Sequence, residues 1–170
     1  MEPIKLLEST DKITWGMPLD KLFLFSAESQ CSIPFDLLGE KEICRYERVY
    51  HGISLYVTPV FKHQNGLVSL RALFEYGDDV NQYHRLYDAI SSELGAPVYV
   101  LKEELKDGAF SRYPCNIWIV GDSIVEVGIR EDRFVPFGYV VVTNKEHFRD
   151  IYTDKYLDLI GWDPKKQIKQ

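Results

Sequence analysis

Two long stretches of alternating residues flank the dipeptide Asn65-Gly66, and this arrangement constrains the fold more than any other feature of the chain. Residues 53–61, ISLYVTPVF, place an apolar residue or proline at every second position, and residues 67–76, LVSLRALFEY, alternate in the same way. An Asn-Gly pair favours a two-residue type I′ turn, because that turn needs positive φ at both central positions. The sequence therefore predicts an antiparallel hairpin.

A third strand is predicted immediately before this hairpin. Residues 43–50, ICRYERVY, lead into His51-Gly52, which is a plausible tight turn into residues 53–61. Pro59 cannot donate a backbone hydrogen bond, so its strand is expected at a sheet edge or with a bulge. Three strands joined by short turns predict an antiparallel meander.

Three helices are predicted around the strands. Leu19, Leu22 and Phe23 share one face after Pro18, and proline fits a first helical turn because its missing N–H is not needed there. Apolar spacing predicts a second helix over residues 79–94 and a third over residues 145–160. Signals typical of helix ends flank them: Asp78 or Asp79 and Gly95 for the second, Asn144 and Gly161 for the third.

The second half of the chain repeats this order of elements. Short strands are predicted for residues 98–101, 115–120, 123–131 and 136–143, with residues 102–114 as a polar loop and Gly121-Asp122 as a turn. The predicted fold is α+β, an antiparallel meander sheet or sheets with about three helices packed on one side. We expect one domain over residues 1–170 with a polar tail at 163–170. An organisation into two halves, about 13–97 and 98–162, stays open.

Charge and cysteine content narrow the classes of function. The chain has 26 acidic and 20 basic residues, a net charge of −6. Such a surface repels a phosphate backbone, so we expect no nucleic-acid partner. No apolar run reaches the ~18 residues of a membrane span, and the N-terminal residues lack a signal-peptide pattern. Three cysteines without a CxxC spacing are typical of reduced thiols, which predicts a cytoplasmic protein.

No motif specifies a reaction. YGDD at residues 76–79 resembles a polymerase metal motif, but a helix is predicted to begin at once, where aspartate usually caps. The four histidines lack zinc-type spacing, and neither a nucleophile elbow nor a glycine-rich phosphate loop occurs. We therefore predict no catalytic, cofactor-binding or metal-binding residue, and no enzyme activity.

Acidic groups remain as candidate contact residues. They fall in predicted loops or helix starts: Asp78, Asp79, Glu103, Glu104, Asp107, Glu131 and Asp132. Aromatic residues are also frequent, with 11 Tyr, 9 Phe and 3 Trp, and tyrosine and tryptophan are enriched in protein interfaces. This combination predicts a surface for a basic protein partner.

The order of motifs in the first half resembles that of small bacterial immunity proteins. It runs from the WGMPLDKL helix start through the meander to FEYG and a helix closing on LGAP. The resemblance to immunity proteins of polymorphic-toxin and contact-dependent growth-inhibition systems implies a cytoplasmic protein that binds a cognate toxin and blocks its active site. We expect a monomer or weak homodimer that needs no cofactor, nucleic acid or membrane.

Two other classes of function stay open at this stage. A small-ligand-binding or regulatory α+β domain would show a thermal shift with a metabolite and would need no protein partner. An enzyme whose site is assembled from distant residues would lose activity on substitution of a single Asp, Glu or His. The excess of acidic residues without metal-like clustering favours the immunity protein.

Overall fold

The fold is built mainly from strands. The structure, a computed structural model, describes residues 3–7, 13–18, 40–42, 45–75, 80–103, 105–107, 110–112, 114–131 and 136–147. The strands are β1 (Glu40–Glu42), β2 (Tyr46–Tyr50), β3 (Ile53–Lys62), β4 (Gly66–Glu75), β5 (Tyr99–Leu101), β6 (Leu105–Asp107), β7 (Phe110–Arg112), β8 (Cys115–Val120), β9 (Ser123–Glu131) and β10 (Pro136–Asn144). A 3₁₀ helix covers Pro3–Leu6, and helix α1 covers Val80–Leu94.

Eight of these strands form one sheet in which every pairing is antiparallel. Its order is β1-β3-β4-β10-β9-β8-β5, and β2 also pairs with β3. Because β4 occupies one side of β3, β1 and β2 share the other side and pair with different stretches of it. β6 and β7 form a separate two-stranded sheet.

The predicted α+β class, with about three helices on one side of the sheet, is wrong. Within the ranges given above, helix is confined to the 3₁₀ turn, α1 and a turn that starts at Lys145, so the fold is mainly β. The prediction counted local helix signals, whereas β1, β6 and β7 have only three residues each. Strands this short are defined by their partners and show no alternation of their own.

The predicted meander β2-β3-β4 is confirmed, although one of its turns differs. His51 and Gly52 form a two-residue turn with positive φ at both positions. Between β3 and β4, positive φ instead falls on Gln64 and Gly66, so the expected Asn65-Gly66 turn is wrong. The residues before the sheet explain this difference, because Gly16 N–H donates to the Leu67 carbonyl and Leu67 N–H donates to the Met17 carbonyl.

Pro59 lies beside the irregularity that its chemistry predicted. The register between β3 and β4 shifts one residue further on, between Val60 and Phe61. On the other side of β3, β2 pairs as far as Val57 and β1 pairs from Val60 onward. Pro59 therefore faces the gap between β1 and β2, where no ladder partner is required.

One face of the sheet, here called the inner face, packs against α1. Its buried residues include Leu55, Val57, Leu70, Ala72, Trp118, Val125, Val127, Val140 and Val142, and they form one cluster with Leu86 and Ile90 of α1. The Trp118 indole donates a 2.8 Å hydrogen bond to the Gly95 carbonyl. Gly95 has a φ of 84° and donates its N–H to Ser91, so it ends α1 as predicted.

The structure tests the helix start predicted at Asn144 but not the helix predicted after Pro18. Asn144 Oδ1 accepts a 3.0 Å hydrogen bond from the Glu146 N–H, which confirms the predicted cap. The predicted helix after Pro18 lies in residues 19–39, outside the described ranges, as do residues 148–160 of the third helix. Trp15, before Pro18, donates its indole N–H to Ser123 at 2.9 Å and so fastens the N-terminal segment to β9.

Candidate protein-binding surface

The predicted contact residues lie at strand ends or outside the described ranges. Glu103 is exposed two residues after β5, Asp107 is the last residue of β6 and Glu131 the last of β9. The prediction of a loop at residues 102–114 is therefore wrong for Asp107. The other four candidates lie outside the described ranges: Asp78, Asp79, Glu104 and Asp132.

Three strands that lead into these acidic groups point the same way. β4 and β9 are both antiparallel to β10, and β9 and β5 are both antiparallel to β8. β4, β5 and β9 therefore finish at the same end of the sheet, at Glu75, Leu101 and Glu131. We call this the acidic end.

Three sequence segments that contain the last residues of these strands are rich in acidic residues. Residues 75–79, 101–104 and 130–133 contain seven acidic and three basic residues. From β4 to β5 the sheet order passes four strand spacings, which is about 19 Å at ~4.8 Å each. A negative field over this width favours a positively charged partner.

Exposed apolar side chains form a patch on the outer face of the sheet, opposite α1. Val49, Tyr56 and Leu73 are 60%, 45% and 47% exposed. Tyr56 pairs directly with Leu73, and Val49 lies two residues from Glu47, the other partner of Tyr56. Because paired residues and residues two apart share a face, these three side chains form one surface on β2, β3 and β4, the outer-face patch.

Charged groups border this patch. The Arg45 guanidinium lies over the Tyr56 ring, 5.5 Å from its centroid. Ser54 donates a 2.7 Å hydrogen bond to the Glu47 carboxylate. Leu73 is two residues before Glu75, so the patch reaches the acidic end within about 7 Å along β4. The patch and the acidic end are contiguous.

Sequence reasoning missed the patch, although a signal for it was present. The alternation of residues 53–61 assigns Tyr56 to the face opposite Leu55 and Val57, and β4 assigns Leu73 to the face opposite Ala72. A large aromatic and a leucine, placed by alternation on the faces opposite the core, would have indicated an exposed apolar contact. Only the register, which joins them as direct neighbours, makes them one surface.

Two further apolar residues are exposed at the opposite edge of the sheet. Val98 and Val100, at β5, are 58% and 44% exposed. Four strands separate β5 from β3 in the sheet order. Val98 and Val100 are therefore about as exposed as the residues of the outer-face patch, and they lie far from that patch.

A second cluster of polar side chains joins the β2–β3 turn to α1. His51 Nε2 lies 3.2 Å from Glu93 Oε1, and the Tyr50 and His51 ring centroids are 4.5 Å apart. Burial raises the pKa of the Tyr50 phenol above its usual value, the nearby Glu93 carboxylate raises it further, and Arg48 opposes this. The arrangement holds the β2–β3 turn against the end of α1.

The described part of the chain offers few side chains for metal binding or thiol chemistry. Within it, no group of three or more His, Cys, Asp or Glu side chains is placed to hold a metal ion. Cys115, on β8, is buried and forms no disulfide. Cys31 and Cys44 lie outside the described ranges.

Comparison with known proteins identifies no relative. No protein-family model, curated protein or solved structure matches the chain. Among the residues that the structure describes, no helix is both long and apolar enough to cross a membrane.

Proposed function

We propose that this chain is a cytoplasmic immunity protein that binds and neutralises a cognate bacterial toxin, without catalysis of its own. The observation that carries the proposal is the shared direction of β4, β5 and β9, whose acidic ends are far apart in sequence and meet at one end of a single sheet. A nuclease-type toxin, whose own substrate is a polyanion, presents a basic surface of the complementary sign.

Charge at the acidic end has a kinetic role in this proposal. Complementary potentials steer two proteins into contact and raise the association rate, and salt weakens this effect. The acidic end lies in place of the polyanionic substrate and covers the basic site of the toxin. The inhibitor is then consumed stoichiometrically and turns over no substrate.

A growth assay tests the proposal. The polypeptide encoded next to this chain is expressed as the candidate toxin in a susceptible cell, with and without the chain. We expect growth arrest with the toxin alone and normal growth with both. Arrest in both cultures, or growth in both, contradicts the proposal.

Charge reversals show whether protection depends on the acidic end. The double variant Glu103→Lys with Glu131→Lys should protect less well, because both positions flank the proposed contact. Glu146→Lys is the matched control, since it makes the same kind of change after the end of β10, at the opposite end of the sheet. Equal protection by both variants would remove the acidic end from the proposal.

A further inference from the structure

We infer that the outer-face patch is the apolar anchor for the basic toxin, so that Tyr56 and Leu73 hold the complex that the acidic end attracts. This inference rests on the proposed function and adds to it the residues that set the lifetime of the complex. It assigns the two surfaces different tasks: charge governs association, and apolar contact governs dissociation.

The composition of the patch fits an interface centre. Interface cores are enriched in tyrosine and arginine, and a few residues near the centre carry most of the binding energy. Here Tyr56 pairs with Leu73 across the β3–β4 ladder, its ring lies below the Arg45 guanidinium, and it is nearly half exposed. Tyrosine also orders few rotatable bonds on binding, so contact with it has a small entropic cost.

The outer-face patch lies beside the acidic end, and this position favours a basic protein as its partner. Leu73 lies two residues before the end of β4, so a partner that covers Leu73 also reaches the acidic end. The acidic end and the patch together extend over about 20–30 Å, which suits the ~800 Å² that each partner contributes to a standard interface. A basic protein fits the acidic end by charge and the combined surface by size.

A second copy of this chain fits less well. Two acidic ends would be brought together with the patches, and like charges across an interface oppose association. We therefore expect the chain alone to remain monomeric at concentrations where it binds the toxin.

The deciding experiment compares two matched double variants in binding to the neighbouring gene's polypeptide. Tyr56→Ala with Leu73→Ala removes two of the three side chains of the patch, and Val98→Ala with Val100→Ala removes comparably exposed apolar groups at the β5 edge, on the opposite face of the sheet. We expect the first to weaken binding about 100-fold, mainly through faster dissociation. The second should change the dissociation constant less than about 3-fold. Thermal unfolding of both variants confirms that each is folded.

Each outcome has a distinct meaning. If the wild-type chain does not bind this polypeptide, the proposed function fails and the inference fails with it. If the wild type binds and the Tyr56→Ala, Leu73→Ala variant binds equally well, the proposed function stands and the inference is overturned. If sedimentation shows a wild-type dimer that this variant loses, the patch is occupied by a second copy, and the inference is also overturned.

Discussion

Gly66 shows how a single residue can serve two elements. Its φ is 68°, and a Cβ added there would overlap the carbonyl of Gly16. The glycine of the Asn-Gly dipeptide therefore does more than turn the chain, because its missing side chain admits the backbone of residues 16–17 beside β4. The Trp-Gly segment near the N-terminus and the hairpin signal at residues 65–66 thus meet in one contact.

Replacement of Gly66 should be much costlier than replacement of another left-handed glycine. Gly66→Ala introduces both a positive-φ strain and a clash with backbone, so we expect a loss of ~3 kcal/mol or more in the free energy of unfolding. Gly52→Ala, with a φ of 78° and no atom within 4 Å of the added Cβ, should cost only ~1 kcal/mol. Urea denaturation of both variants measures the difference, and equal losses would contradict the assigned contact.

Tyr50 predicts a particular behaviour at alkaline pH. Its pKa is raised in the folded protein above the ordinary value of 10.0, so the folded state holds this proton more tightly than the unfolded state. The stabilisation is present below that pH and is lost as the pH rises above it, at up to ~1.4 kcal/mol per pH unit. The slope should be smaller in Tyr50→Phe. Superimposable alkaline unfolding curves for wild type and variant would contradict the assignment.

At the scale of elements, long periodic segments were predictable and short ones were not. The ten-residue strands β3 and β4 and the helix α1 lie where alternation and helical spacing put them. The three-residue strands β6 and β7 lie in a stretch predicted to be a loop, because their pairing partners define them. The altered turn after β3 has the same cause, since its partner Gly16 is 50 residues away in the chain.

Of the candidate binding surface, the sequence predicted only the acidic residues. Composition singled out the acidic groups, and the topology relates the strands that lead into three of them. The outer-face patch depends on the register between β3 and β4, which joins Tyr56 to Leu73. Register is a property of paired strands, and one strand's sequence does not contain it.

Trp118 connects α1 to the sheet and should be the most sensitive contact of that helix. It is fully buried, packs near Tyr87 and satisfies the Gly95 carbonyl at the helix end. Trp118→Phe should cost ~2–4 kcal/mol, since it leaves that carbonyl unpaired and opens a cavity.

The control for this substitution is Trp15→Phe. That change removes a similar hydrogen bond, to Ser123, from a residue that is only partly buried, so we expect a loss of ~1 kcal/mol. Chemical denaturation of the two variants gives the comparison. A smaller loss for Trp118→Phe than for Trp15→Phe would show that α1 is held elsewhere.

At the scale of the molecule, two meanders share one sheet. β2-β3-β4 and β8-β9-β10 join through the seven-residue pairing of β4 with β10. Contacts also cross the junction, because α1, which follows the first meander, packs on Trp118 of the second. The N-terminal segment likewise bonds to Leu67 on β4 and to Ser123 on β9.

This continuity predicts a single unfolding transition. Neither meander keeps its core when the other unfolds, so the calorimetric and van't Hoff enthalpies should agree. The expectation of one domain, made from the sequence, is tested by the same scan. Two resolved transitions would instead indicate that the halves fold separately.

The most direct test of the whole account is a calorimetric titration of the chain with the neighbouring gene's polypeptide at low and at moderate salt. The account predicts a one-to-one complex whose affinity is high at low salt and falls as salt is added. It also predicts that heat is released by binding alone, with no continuing signal of turnover. Absence of binding at low salt, or binding that salt leaves unchanged, would contradict an acidic inhibitor of a basic toxin.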